Sequence, residues 1–193
     1  MAHCFIIDVE GASTADYDSL DSALEQSGPR MPDGALFHSA GATATGLRAV
    51  DVWDSPEAFD DFVKNRLAGL MAERGFGAPE VRALEVAEIR RGGQGDVTFV
   101  QIVDLPGVDA ATFVELDTQV LGPAREVPEG CVFHVNGPSE SGWYVVDAWT
   151  SKDIRDQFMG AQVVPVIGGK VVPEIQELAL HNALQRTAEG TVA

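Results

Sequence analysis

Apolar residues along this chain fall in short alternating runs, then at three- and four-residue spacing, then in alternating runs again, and the cycle is traversed twice. The stretches 4–9 and 97–105 are β-branched or aromatic runs of strand length. A helical stripe follows each: Tyr17, Leu20 and Leu24 in the first cycle, Phe113, Leu116 and Val120 in the second. Residues 35–39 with 47–53, and 131–135 with 143–149, predict paired strands, joined by the glycine-bounded loops 41–46 and 137–142. Ser55-Pro56 then opens a second helix, serine as cap and proline in the first turn, with a stripe of Phe59, Phe62, Val63, Leu67 and Leu70. Its counterpart opens at Ser151 and carries Phe158, but Pro165 and Gly168-Gly169 predict an early break. Last strands are expected at 81–89 and 175–181, so each cycle reads β-α-β-β-α-β.

The two cycles are copies. Between Pro32 and Phe62 the chain matches itself 96 residues later without a gap, with 12 of 31 positions identical. They include Gly34/Gly130, Phe37/Phe133, His38/His134, Asp51/Asp147, Trp53/Trp149 and Ser55/Ser151. A period of this length is domain-sized rather than solenoid-sized. The expected fold class is therefore α+β: two tandem ferredoxin-like βαββαβ repeats whose antiparallel sheets pack into an α+β barrel. The repeats are set at 1–89 and 97–186, with a glycine-rich linker at 90–96 and a frayed tail at 187–193.

Alternation then sorts the side chains by face. A sheet face covered by its own helices must be apolar, which assigns Ile6, Phe37, Val50 and Val52, with Ile102, Phe133, Val146 and Ala148, to the helix side. The opposite face receives Phe5 or Gln101, His38 or His134, Asp51 or Asp147, Trp53 or Trp149, and His181. Two such mixed faces packed together predict one chamber lined by both histidines, both aspartates, Trp53, Trp149 and Trp143, in the manner of a small-molecule site.

Composition narrows the partners. A net charge of −17, spread over both halves, repels phosphate backbones and anionic lipid, so nucleic acid and membrane are excluded as partners. No apolar run approaches the ~20 residues of a membrane span, and the N-terminus has no basic leader region. Cys4 and Cys131 lie in apolar strand runs at unrelated places in the repeat, which predicts buried thiols in a cytoplasmic protein. The partner left is a hydrophobic small molecule, met by a monomer with an internal pseudo-dimer or by a homodimer of it.

The pattern Pro-x-Gly-x-x-Phe-His, then Gly-x-x-x-Val-Asp-x-Trp-x-Ser, present in both copies, resembles the dimeric α+β barrel superfamily. In particular it is similar to actinobacterial proteins grouped with the antibiotic-biosynthesis monooxygenase-type domains. The resemblance implies a barrel normally built by two chains, here built within one. It implies activities ranging from cofactor-independent oxygenation of polyketide rings through haem degradation and isomerisation to plain ligand binding. The first-strand asparagine pattern of the haem-degrading members is missing, Asp8 and Asp104 ending that strand instead, so no cofactor is expected.

Within that frame His38 and His134 are candidate acid–base groups, with Asp51 and Asp147 as the carboxylates that orient them. Retention in both copies favours a pair of hydrogen-bonded struts, since an active site rarely needs two copies, and metal ligation is a third use without a close-spaced ligand motif behind it. Trp53, Trp149, Trp143, Phe5, Gln101 and His181 are candidate substrate contacts. Positions that differ between the copies, Trp143 against Leu47 and Gln101 against Phe5, are where a single ligand site would show. The spacing Gly41 to Gly46 lacks the Lys-Ser/Thr of a phosphate loop, and Ser55 and Ser151 are helix caps rather than nucleophiles. The expected function is cofactor-independent oxygenation or isomerisation of a hydrophobic aromatic molecule. Its alternatives are a non-catalytic binding or stress-response protein and a purely structural duplication.

Overall fold

The computed structural model describes residues 1–186; the expected tail at 187–193 lies outside them. The fold is α+β, with nine strands among the described residues. The first cycle comprises β1 (His3–Glu10), α1 (Thr14–Ser27), β2 (Ala35–Ala42), β3 (Gly46–Trp53), α2 (Pro56–Phe62), a π turn (Val63–Leu67), α3 (Ala68–Glu73) and β4 (Glu80–Glu85). After β5 (Glu88–Arg91) come β6 (Phe99–Pro106), α4 (Ala110–Leu121), β7 (Cys131–Pro138), β8 (Gly142–Trp149), α5 (Lys152–Phe158), a π turn (Met159–Val163), α6 (Val164–Ile167) and β9 (Glu174–Gln185). Among the described residues no helix is long and apolar enough to cross a membrane.

Helix starts follow the sequence signals. Ser13 and Asp16 form a reciprocal capping box on α1, Asp109 accepts from the Thr112 amide on α4, and Ser55 and Ser151 cap α2 and α5. Gly34 and Gly130 hold positive φ in the turns before β2 and β7, and a Cβ at either would come within 2.7 Å of a side-chain carbon. Pro165 does not end the second helix as expected. It sits in the first turn of α6, where the preceding π turn has reset the bonding register, and the helix runs on to Ile167.

The described residues form two compact units: 1–84 with 179–186, and 85–178. In the N-terminal unit the strand order is β4-β1-β3-β2 followed by the second part of β9; in the C-terminal unit it is the first part of β9 followed by β6-β8-β7-β5. These units do not follow the repeat boundaries at 89 and 97. Residues expected in the linker belong to a strand: β5 pairs with β7, Arg90 opposite His134. Arg90 also binds Asp117 at 2.7 Å and Glu88 at 3.1 Å, so the first residues of the expected linker are held in the fold. Conversely Gln185 pairs with Phe37, and Arg186 donates to the carbonyls of Met31, Pro32 and Ala35.

The face assignment is reversed. Phe5, Ile7, Val9 and Trp53 are clustered with Phe59, Phe62, Val63 and Met71 of the helices, and Phe113 of α4 stacks on Trp143. The helices therefore cover the face carrying His38, Asp51 and Trp53, and in the other unit His134, Asp147 and Trp149. The set Cys4, Phe37, Val50 and Val52 lies on the other face and is fully buried as well. With both faces inaccessible to water, alternation separates them but does not say which the helices cover. The polar pair tolerates the helix side because its hydrogen bonds are made there.

Candidate active site

Between its sheet and its helices each unit has a cavity of about 120 Å³ that is partly open to solvent. A single water needs roughly 10–15 Å³ on this measure, so each is sized for a small organic molecule. The N-terminal cavity is lined by Tyr17, His38, Asp51, Trp53, Phe62 and Leu184 among others; the C-terminal one by Gln101, Phe113, His134, Asp147, Trp149 and Phe158 among others. Where one chamber lined by both histidines was expected, His38, Asp51 and Trp53 line one cavity and His134, Asp147 and Trp149 line another.

In the N-terminal unit β2 and β3 place His38 opposite Asp51, and His38 Nδ1 lies 2.6 Å from Asp51 Oδ1. The other ring nitrogen, Nε2, lies 2.8 Å from the hydroxyl of Tyr17 on α1. Asn182 Nδ2 of β9 donates to the same hydroxyl at 2.9 Å. Burial pulls the His38 pKa down, but the charge of Asp51 and its hydrogen bond, helped by Asp21, more than offset this and leave it raised. Burial pushes the Tyr17 phenol well above its usual value, with Asp21 adding to the effect, so Tyr17 keeps its proton. The result is a chain Asp51–His38–Tyr17 that ends in a hydroxyl at the cavity wall.

The C-terminal unit repeats the first half of this arrangement and replaces the second. His134 Nδ1 lies 2.7 Å from Asp147 Oδ1, and Gln101 Nε2 donates to Asp147 Oδ2 at 2.9 Å. Phe113 stands where Tyr17 stands in the first copy and has no hydroxyl. His134 Nε2 is met by Asn136 Nδ2 at 2.9 Å instead. The orientation of that amide is fixed from beyond: an indole N–H only donates, and Trp143 Nε1 donates to Asn136 Oδ1 at 3.1 Å. The Asn136 NH₂ must therefore face His134, whose Nε2 accepts and whose Nδ1 carries the proton given to Asp147. Both nitrogens are committed, and the group that meets Nε2 is an amide rather than an acid–base hydroxyl.

Of the other candidates, Trp53 and Trp149 line their cavities, each with a buried indole N–H that has no partner. Trp143 orients Asn136 rather than lining the cavity. Phe5 stacks face to face on Phe59, centroids 3.8 Å apart, and belongs to the core. His181 binds Asp18 at 2.6 Å and meets Tyr17 edge-on. Sequence reasoning missed Tyr17, Asn136 and Asn182. A signal for two of them was present: at the 96-residue offset Tyr17 faces Phe113 and Asn136 faces Ala40. No group of three or more histidine, cysteine or acidic side chains suited to a metal occurs among the described residues.

No sequence-family model and no curated protein matches the chain. Solved structures do. A protein of Fusobacterium nucleatum, described as a "putative monooxygenase", aligns over 100% of this chain and 97% of its own at 14% identity with a TM-score of 0.71. One of Lactobacillus acidophilus with the same description aligns over 100% of both chains at 15% identity and 0.69. The chain shares their fold. A mutant chlorite dismutase from Candidatus Nitrospira defluvii aligns more loosely, over 94% of this chain and 91% of its own, at 7% identity and 0.55.

Proposed function

We propose that this chain is a small-molecule enzyme of the antibiotic-biosynthesis monooxygenase type. It would oxygenate or isomerise a hydrophobic aromatic substrate in the N-terminal cavity without an added cofactor. The reading includes two ferredoxin-like copies of actinobacterial type, working in the cytoplasm as a monomer with an internal pseudo-dimer or as its homodimer. The observation that carries it is the Asp51–His38–Tyr17 chain, whose terminal hydroxyl lies at the cavity wall and whose imidazole is biased toward protonation. The descriptions of the two structural neighbours point the same way.

In the resting state His38 donates Nδ1–H to Asp51 and Tyr17 donates its O–H to Nε2. A substrate hydroxyl or carbon acid beside Tyr17 gives its proton to the phenol oxygen as Tyr17 passes its own to His38. One proton has then moved from substrate to imidazole, leaving a substrate anion, a neutral Tyr17 and an imidazolium balanced by Asp51. Tyr17 now accepts from His38 and Asn182 and donates to the anion. Trp53 lines the same cavity, and its buried N–H has no protein partner. The electron-rich anion is the species that dioxygen oxidises, or that is reprotonated elsewhere in an isomerisation.

The test is turnover of hydroxylated aromatic compounds of one to four fused rings, in air and under argon, with solvent deuterium. Oxygen uptake or deuterium exchange that depends on His38 is expected. Unchanged substrate in air together with no exchange under argon would leave only the binding and purely structural alternatives.

A further inference from the structure

The C-terminal cavity holds a pair of buried polar atoms that the fold leaves without partners. A carboxylate only accepts, so the amide of Gln101 must turn its NH₂ to Asp147, which leaves Oε1 as the free end. That oxygen is buried and has no hydrogen bond, and the same is true of Trp149 Nε1. Both side chains are 1% exposed and line the cavity. A buried acceptor and a buried donor are both costly to leave without partners. The remaining wall includes Val103, Leu105, Phe113, Val145 and Phe158, all apolar.

We propose that this cavity is a second, non-catalytic binding site for a neutral, compact, largely hydrocarbon molecule bearing one hydroxyl, of the phenol class. A hydroxyl is the small group that supplies both missing partners, giving its hydrogen to Gln101 Oε1 and accepting from Trp149 Nε1. Charge selects the neutral form: Asp147 and Asp117 line the wall, so a carboxylate or phenolate is repelled. The carboxylates are already engaged, Asp147 by His134 and Gln101 and Asp117 by Arg90 and Arg125, so a cation gains no free partner. The acceptor is peculiar to this copy, since Phe5 stands at the position of Gln101 in the other. With His134 committed on both nitrogens, the site binds without proton transfer.

The experiment is calorimetric titration of the full chain at neutral pH with 1-naphthol, naphthalene and 1-naphthoate. 1-Naphthol is expected to bind about tenfold or more tighter than naphthalene, the worth of two neutral hydrogen bonds, with 1-naphthoate excluded. Met159→Trp fills this cavity from the π turn and should remove the binding event; Val163→Phe replaces it if that variant does not fold. Leu20→Trp fills the N-terminal cavity, where the proposed substrate would bind, so the titrations are repeated in that background, in which this event should remain. Gln101→Met should narrow the difference between 1-naphthol and naphthalene. Equal affinity of the two in the Leu20→Trp background, or binding there that survives filling the C-terminal cavity in a folded variant, overturns the inference. Turnover plays no part in these readouts, so the result stands apart from the proposed enzymatic activity.

Discussion

Tyr17 and Phe113 occupy the same position in the two copies, and the hydroxyl that separates them decides what each histidine can do. In the first copy His38 Nε2 meets the phenol at 2.8 Å; in the second, His134 Nε2 meets an amide that cannot ionise. Replacing Tyr17 by phenylalanine should therefore abolish proton transfer while keeping the fold, because the other copy already accommodates a phenylalanine there. The expected loss in kcat/KM is on the order of 10²–10⁴, the usual worth of a positioned acid–base group. A variant that melts like the parent and turns over at its rate would remove Tyr17 from the mechanism.

Stability should depend on pH through His38. Its folded pKa is raised above the unfolded value, so the Asp51 pair contributes fully below roughly pH 6.5, the unfolded histidine value. That contribution is lost as pH rises through the higher folded value. Urea midpoints measured on both sides of this window should fall with rising pH in the parent. The fall should be smaller in His38→Gln, and equal slopes in the two proteins would contradict the assignment.

The thiols should be silent in the native state. Cys4 is fully buried, and burial, with the nearby Asp51 charge adding, pushes its pKa up to about 12. Burial and Asp147 act in the same direction on Cys131. Neither is in a disulfide. An aromatic disulfide reagent should detect no thiol until denaturant is added and both afterwards; rapid labelling of the native protein would mean that the strands carrying them open.

Much of this was legible in the sequence. The duplication located the His–Asp pairs because β2 and β3 bring residues 13 apart into register, as β7 and β8 do. Strand and helix positions followed from period and caps. What was not legible has physical reasons. Cys4, Val50 and Val52 are as inaccessible as Phe5 and Trp53, so apolar content could not say which face meets the helices. The exchange of strand ends between the units depends on pairing partners far apart in sequence, such as Phe37 with Gln185. Tyr17 read as one member of an apolar stripe because its ring packs like its neighbours and only its oxygen is engaged.

The proton on His134 gives the sharpest check of the side-chain network. Trp143 can only donate, so Asn136 must turn its oxygen to the indole and its NH₂ to the imidazole, which leaves His134 protonated on Nδ1 alone. Nitrogen-15 spectra at neutral pH should show a bare Nε2 and a protonated Nδ1 for this ring. Trp143→Phe removes the indole that holds the amide oxygen, keeps an aromatic ring for Phe113 to stack on, and lets Asn136 present its oxygen to Nε2. The variant should lose the bare Nε2 signal and about 1 kcal/mol of stability, the net worth of one neutral hydrogen bond. A His134 spectrum that is unchanged in the variant would show that Asn136 is oriented by something other than Trp143, with Glu88, 3.5 Å from its nitrogen, next in line.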